Sequence, residues 1–269
     1  MISTGITAGV IGWPIQHSKS PLIHRFWLRQ LGLDGDYARF AVAPHQLEQA
    51  LRALPALGLA GVNVTVPHKV AVIPHLDRVE QVAKDIGAVN TILVRGADLV
   101  GTNTDMAGFL EPLAGMAGKR AVVVGAGGAA RAVLVGLRQQ GIAHVTVLNR
   151  TPARAAGLLK KLAVPGEARP LDAPLPAADL LVNTSPLGMH GQPPLALDLA
   201  PLPRTAIVYD IVYAPLQTAL LQQAAALGLA TIDGLRMLVG QAAIAFERFY
   251  GVPPPRSADD ELRRLLLAS

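Results

Sequence analysis

The sequence contains no cysteine. That single absence excludes disulfides, thiol nucleophiles and thiolate metal sites. Aromatic residues are scarce at 4%, charged residues make up 16%, and 51% of the chain is hydrophobic. Small aliphatic side chains must therefore fill the interior, which suits closely spaced layers of helix on sheet. The same balance excludes a disordered, collagen-like or coiled-coil chain. No apolar run approaches the roughly 18 residues that a bilayer-crossing helix needs. The opening, MISTGITAGVIGWP, lacks a basic region ahead of an apolar stretch and a small-residue cleavage site. The chain reads as a cytoplasmic protein without a membrane partner. Its histidines (17, 24, 45, 68, 75, 144 and 190) show no metal-ligand spacing, so no metal is expected. The net formal charge is +5, but the basic residues are scattered and few aromatics lie among them. That argues against nucleic acid and suits an anionic small molecule.

What is present has the size of about two domains. Glycine and proline number 26 and 21, so turns are frequent and elements short. Strands are predicted at Thr7–Gly12, Tyr37–Val42 and Asn63–Val66. Between them, Ile23, Phe26, Trp27 and Leu31 recur at helical spacing behind a Ser20 cap and Pro21, and Leu47, Ala50, Leu51 and Leu54 mark a second helix. A further helix is read at Arg78–Ile86, and residues 88–105 read as a hairpin turning at Arg95–Asp98. Residues 120–151 give strand, glycine turn, helix and strand, with Gly141 closing the helix. Short strands follow at Leu180–Asn183 and Ile207–Ile211, then helices at Leu216–Leu227 and about Gly234–Tyr250. Ser257 and Asp260 suggest a capping box ahead of a last stripe, Leu262, Leu265 and Leu266. The fold class is α/β, with some antiparallel pairing early in the chain.

Gly125-Ala126-Gly127-Gly128-Ala129-Ala130 fits the dinucleotide pattern, with a strand before it and a helix after. A pyrophosphate needs backbone amides within reach and no Cβ in the way. Glycines at the turn and a helix N-terminus provide both. At the end of the second strand, an NAD site would offer a carboxylate to the ribose 2′-hydroxyl. Here the chain reads Asn149-Arg150-Thr151, with Arg154 one turn on. Two guanidiniums and a hydroxyl suit a 2′-phosphate, so NADP is expected.

Three early segments carry chemistry-bearing side chains. GWPIQHSKSP (12–21) sets Ser18 and Ser20 beside a helix start, where hydroxyls and free amides suit a carboxylate. GVNVTVPHK (61–69) sets Thr65 and Lys69 at and beyond a strand, and GTNTD (101–105) ends on Asp105. With AVNT (88–91), GAGGAARA (125–132), NRT (149–151), NTSPLGM (183–189), YDIVYAPLQTALL (209–221) and DGLRMLVGQAA (233–243), they run in the order of, and the chain resembles, the shikimate dehydrogenase family.

The resemblance implies reduction of 3-dehydroshikimate to shikimate with NADPH, in aromatic amino-acid and chorismate biosynthesis. It implies two α/β domains facing across a cleft: a substrate domain of residues 1–105 completed by 238–269, and a Rossmann-like, doubly wound NADP domain of 106–237. It makes Lys69 and Asp105 the catalytic pair. Ser18 and Ser20 would hold the substrate carboxylate, and Thr65, Asn90, Tyr213 and Gln241 would contact its hydroxyls or carboxylate. Gly125, Ala126, Gly127, Gly128 and Ala129 would hold the pyrophosphate, and Asn149, Arg150, Thr151 and Arg154 the 2′-phosphate. Ile211 and Gly234 would approach the nicotinamide. A monomer or homodimer is expected, with the small-molecule substrate as its partner.

Independently of the resemblance, Gln241 shares a helical stripe with Leu238, Ala242, Ala245 and Phe249, which points its amide inward. The chain departs from the family pattern at Met106, where glycine usually follows the aspartate, and at Arg25, where asparagine usually follows the histidine. His68 is a second candidate acid beside Lys69. A quinate/shikimate enzyme preferring NAD, a non-catalytic dinucleotide-binding homologue and a methylenetetrahydrofolate dehydrogenase are the alternatives. The paired serines and the arginines count against the first, the retained Lys69 and Asp105 against the second, and the paired serines again against the third.

Overall fold

A computed structural model describes residues 5–113 and 115–268. The first four residues, part of the stretch read for a leader, lie outside that range. The chain forms two compact units, one of residues up to Thr104 together with Gln241 onward, the other Asp105–Gly240.

The first unit runs β1 (Ile6–Gly12), α1 (Ser20–Leu31), β2 (Gly35–Ala41), α2 (Leu47–Ala53), β3 (Leu59–Val64), β4 (Arg78–Val79), α3 (Gln81–Ile86), β5 (Thr91–Arg95) and β6 (Asp98–Thr102). Its sheet has the order β2-β1-β3-β5-β6-β4. β1 pairs in parallel with β2 and β3, β5 is antiparallel to both its neighbours, and the hairpin turns with Arg95 opposite Asp98. Because of these directions, the ends of β1, β3 and β6 and the start of β5 share one edge. The register fixes it: Asn63 lies opposite Thr91, and Thr91 opposite Thr102. One core of this unit is aliphatic, built on Ile11, Leu51, Val62, Val64, Ile92 and Leu99.

Predictions for the first unit shift at four places, three of them with a clear physical cause. Ser20 is the first residue of α1 and its side chain is buried, so it does not cap; Lys19 occupies the cap position and Ser18 Oγ accepts from the Ser20 amide at 3.3 Å. β3 stops at Val64, ahead of the predicted Val66, because the chain turns there: the His68 amide donates to the Thr65 carbonyl at 2.9 Å, and Pro67 has no N–H to offer a ladder. Arg78 and Val79 are strand rather than helix. The amides of Asp77 and Glu80 on either side donate to Leu99 and Gly101 of β6 at 3.0 and 2.8 Å, which holds the backbone extended. The last stripe keeps Leu262 and Leu266 buried, whereas Leu265 is 40% exposed.

The second unit runs α4 (Asp105–Leu110), β7 (Arg120–Val124), α5 (Gly128–Gln139), β8 (His144–Asn149), α6 (Pro152–Lys161), β9 (Gly166–Pro170), β10 (Leu180–Asn183), β11 (Ile207–Asp210), α7 (Ala219–Ala226) and β12 (Ala230–Ile232). The helix α8 (Gly234–Tyr250) carries the chain back to the first unit, where α9 (Asp259–Ala268) ends the described residues. The second sheet is parallel throughout in the order β12-β11-β10-β7-β8-β9. Counted from β7, that is the strand order of a dinucleotide-binding Rossmann fold, which reverses direction between β7 and β10. α7 starts at Ala219, later than the predicted Leu216, because Thr218 caps it by accepting from the Leu221 amide. Met106, the departure noted above, packs with Leu110 in the space that Gly136 leaves open on α5.

Candidate active site

The common edge of the first sheet gathers three of the predicted segments. β1 ends at Gly12, whose missing side chain leaves room for Thr65. The next amide, Trp13, donates to the Val66 carbonyl at 3.1 Å, so the serine loop and the lysine turn run side by side. Ser18 is half-buried, with its carbonyl gripped by Arg39 at 2.6 and 3.0 Å. The Lys69 carbonyl accepts from the Val89 amide at 2.7 Å, which ties the lysine turn to the segment ahead of β5 that bears Asn90.

Asn90 is 2% exposed and lies in a closed polar network. Its Oδ1 accepts from the Thr104 amide at 2.8 Å and the Thr91 hydroxyl at 2.9 Å, and its Nδ2 donates to Thr104 Oγ1 at 2.9 Å. Gln241 Oε1 lies 3.5 Å from Asn90 Nδ2 and 3.4 Å from Thr104 Oγ1, so the amide does point inward as its stripe requires. Asn63, not singled out in the sequence, supports this group: it accepts from the Tyr37 hydroxyl at 2.6 Å and donates to Thr91 Oγ1 at 2.9 Å. Burial pushes the Tyr37 phenol well above its ordinary pKa, so it remains a donor. His68 is buried and its Nε2 meets the Val42 carbonyl at 2.7 Å. A carbonyl only accepts, so that nitrogen carries its proton into the fold.

The second unit places the cofactor candidates around its reversal point. Gly125 adopts φ +105°, a conformation that strains any side chain, and a Cβ there would also sit 2.9 Å from Thr184 Oγ1. The Thr184 hydroxyl in turn donates to the Val124 carbonyl at 2.6 Å, which seals the loops after β7 and β10 together. A Cβ on Gly127 would meet nothing within 4 Å, so the loop is open on that side at the start of α5, where a phosphate would sit. At the end of β8, Asn149 Nδ2 donates to the Thr151 carbonyl at 2.8 Å, while Arg150 and Arg154 are exposed. This set of amides and guanidiniums fits a dinucleotide carrying an extra phosphate.

Ile211 and Gly234, the two nicotinamide candidates, lie against each other: a Cβ on Gly234 would stand 2.4 Å from the Ile211 carbonyl oxygen, a contact that only glycine permits. Beneath them sits a carboxylate that sequence reasoning passed over. Asp210 is fully buried, and it accepts from Asn183 Nδ2 at 2.9 Å, the Val212 amide at 3.0 Å and the Thr218 hydroxyl at 2.7 Å. Burial raises its pKa, against the pull of those three donors. The signal was available in NTSPLGM and YDIVYAPLQTALL, which hold Asn183, Asp210 and Thr218.

Ser18, Ser20, Thr65, Lys69, Asn90 and Gln241 thus belong to the first unit. Asp105, which opens α4 and is 4% exposed, belongs to the second, as do the half-buried Tyr213 and all the cofactor candidates. Among the described residues no cluster of histidine and carboxylate side chains would hold a metal, and no helix is long and apolar enough to cross a membrane.

Three family models match the chain. These are the shikimate dehydrogenase substrate binding domain at residues 10–92, shikimate / quinate 5-dehydrogenase at 110–184, and the shikimate 5′-dehydrogenase C-terminal domain at 234–260. The chain belongs to the shikimate dehydrogenase family. Within it, the shikimate dehydrogenase (NADP(+)) of Sphingopyxis alaskensis is 56% identical over 268 residues, covering 97% of each chain. The structure of shikimate 5-dehydrogenase from Thermus thermophilus, in complex with NADP(H) and shikimate, is 40% identical, with a TM-score of 0.86 over 97% of this chain and 100% of that one. A ligand-free 5-ketofructose reductase of a Gluconobacter species is 33% identical, with a TM-score of 0.88 over 97% and 99% of the chains. This shikimate dehydrogenase fold therefore hosts more than one carbonyl substrate, and the substrate must be argued from the site.

Proposed function

We propose that the chain reduces 3-dehydroshikimate to shikimate reversibly with NADPH. One observation carries the reading. At a single edge of the first sheet the segments that carry Ser18, Ser20 and Lys69 run together beside Asn90 and Thr104, which Gln241 of α8 joins, a set suited to a small, hydroxyl-rich acid. When bound at the glycine loop, NADPH supplies the hydride that adds to the ketone carbon.

The side chains do the rest. Ser18 and Ser20 hold the carboxylate, which fixes the ring. Thr65, Asn90, Tyr213 and Gln241 bond the ring hydroxyls and so present one face of the ketone. The Lys69 ammonium bonds the ketone oxygen, stabilises negative charge as it develops there, and delivers a proton to it. Asp105 orients that ammonium and exchanges the proton. In the opposite direction Lys69 takes the hydroxyl proton. Gly125–Ala129 hold the pyrophosphate, Asn149, Arg150, Thr151 and Arg154 the 2′-phosphate, and Ile211 with Gly234 border the nicotinamide. An enzyme of this kind, acting on diffusing metabolites as a monomer or homodimer, works in the cytoplasm.

The test is the initial rate of NADP+ reduction with shikimate, run against quinate and against NAD+. Shikimate with NADP+ is expected to be the fastest pair. Faster turnover of quinate, or equal rates with NAD+, would overturn the substrate or the cofactor reading respectively.

A further inference from the structure

The guanidinium of Arg131 stands outside the Asn149–Arg154 set. It lies in the first turn of α5, four residues after Gly127, and its amide donates to the Gly127 carbonyl. Its Nη1 is buried and has no hydrogen-bond partner among the described residues. A buried donor left unpaired costs free energy, and no ion pair among the described residues compensates it. Burial, and then the like charge of Arg154, pull its pKa below the ordinary arginine value. Arg154 in turn lies in the first turn of α6, behind Thr151. Two guanidiniums from the first turns of α5 and α6 thus lie near enough for their like charges to interact. Side chains on a helix lean back toward its N-terminus, so Arg131 reaches toward the loops that open the two helices.

We propose that Arg131 is a third guanidinium of the cofactor's 2′-phosphate site, acting with Arg150 and Arg154 to select NADPH over NADH. A phosphate dianion placed there satisfies the orphaned Nη1–H and converts a repulsive pair into a clamp. NADH brings no charge to that point and leaves both the repulsion and the orphan in place. Arg131 therefore acts on discrimination and not only on affinity. The inference rests on the reading of Asn149–Arg154 as the phosphate site, and the experiment separates the two.

Binding is measured without turnover, by calorimetry or by quenching of intrinsic fluorescence, for NADPH, NADH and 2′-AMP. The wild type is compared with Arg131→Gln and with Arg131→Lys, which keeps the charge and loses the fork. Arg131→Gln should weaken NADPH and 2′-AMP by about tenfold or more, as expected for a charged hydrogen bond, and NADH by less than about twofold. Arg131→Lys should fall between it and the wild type for both phosphate-bearing ligands. Equal losses for NADPH and NADH in either variant would assign Arg131 to the pyrophosphate or to the fold, and overturn the proposal. Unchanged binding in Arg131→Lys, should the glutamine variant not fold, would overturn it as well. If the wild type itself binds NADH as tightly as NADPH and ignores 2′-AMP, the underlying phosphate site is what fails.

Discussion

Arg150 stands exposed after a strand whose end offers no carboxylate. Its replacement by alanine should weaken NADPH by about 1.5–3 kcal/mol, the worth of a charged hydrogen bond, and leave NADH nearly untouched. Titration of both cofactors checks this, and equal losses would remove Arg150 from phosphate recognition. His24 is a different kind of residue. Both ring nitrogens are buried without hydrogen-bond partners among the described residues, in a box of Trp27, Tyr37, Phe246, Phe249 and Tyr250, with the Tyr37 ring stacked at 4.0 Å. Burial lowers its pKa from 6.5 to about 3. Between those values the unfolded chain binds the proton and the folded one does not. The stability linked to His24 is thus complete above about pH 6.5 and is lost as the pH falls toward 3. Urea midpoints measured from neutral to mildly acidic pH should fall less steeply for His24→Phe than for the wild type, and parallel profiles would contradict this. Nothing in the sequence announced this box, because the ring partners come from α1, β2 and α8, far apart in the chain. The phosphate-site candidates were legible because their spacing within a single strand–turn–helix unit is itself the signal.

Among the elements, those with a strong period were read closely. β10 falls on its predicted residues, and α8 on its approximate bounds. β9 and β12 were missed: each lies at an outer edge of the second sheet, and their largely exposed residues carry no apolar alternation. β4 was misread because only β6 holds its two residues in strand. Asp210 was passed over although Val212 and Thr218 lie in its own segment; the third donor, Asn183, is brought to it by the pairing of β10 with β11. Thr218→Val should cost about 1.5–3 kcal/mol by urea unfolding, since it removes one donor from a buried carboxylate. A loss under about 0.5 kcal/mol, no larger than an ordinary surface substitution gives, would deny that knot its structural weight. Gly234→Ala should cost about 1–3 kcal/mol, because the new methyl meets the Ile211 carbonyl at contact too close for a side chain. Thermal denaturation reads this, and an unshifted midpoint would mean the start of α8 yields freely.

For the molecule as a whole, composition foretold the layering: a chain poor in aromatics packs Val, Leu, Ile and Ala against a parallel sheet, and one core of the second unit is aliphatic throughout. Motif order foretold which segments meet at the first sheet's edge, through residues such as Thr65 and Asn90. It could not foretell the supports beneath them, Asn63 and Tyr37, because buried hydrogen bonds between distant segments leave no local pattern. The central claim is that Lys69 and Asp105 act as one unit on a ketone. The direct measurement is kcat for shikimate oxidation by NADP+ in Lys69→Ala, Asp105→Asn and the double variant, with KM followed in each. Lys69→Ala should lower kcat by about 10²–10⁴-fold with KM little changed, the span of a positioned acid. The double variant should be no worse than the poorer single one, since groups acting as a unit are lost together. Losses that multiply in the double variant, or turnover that survives in Lys69→Ala, would contradict it.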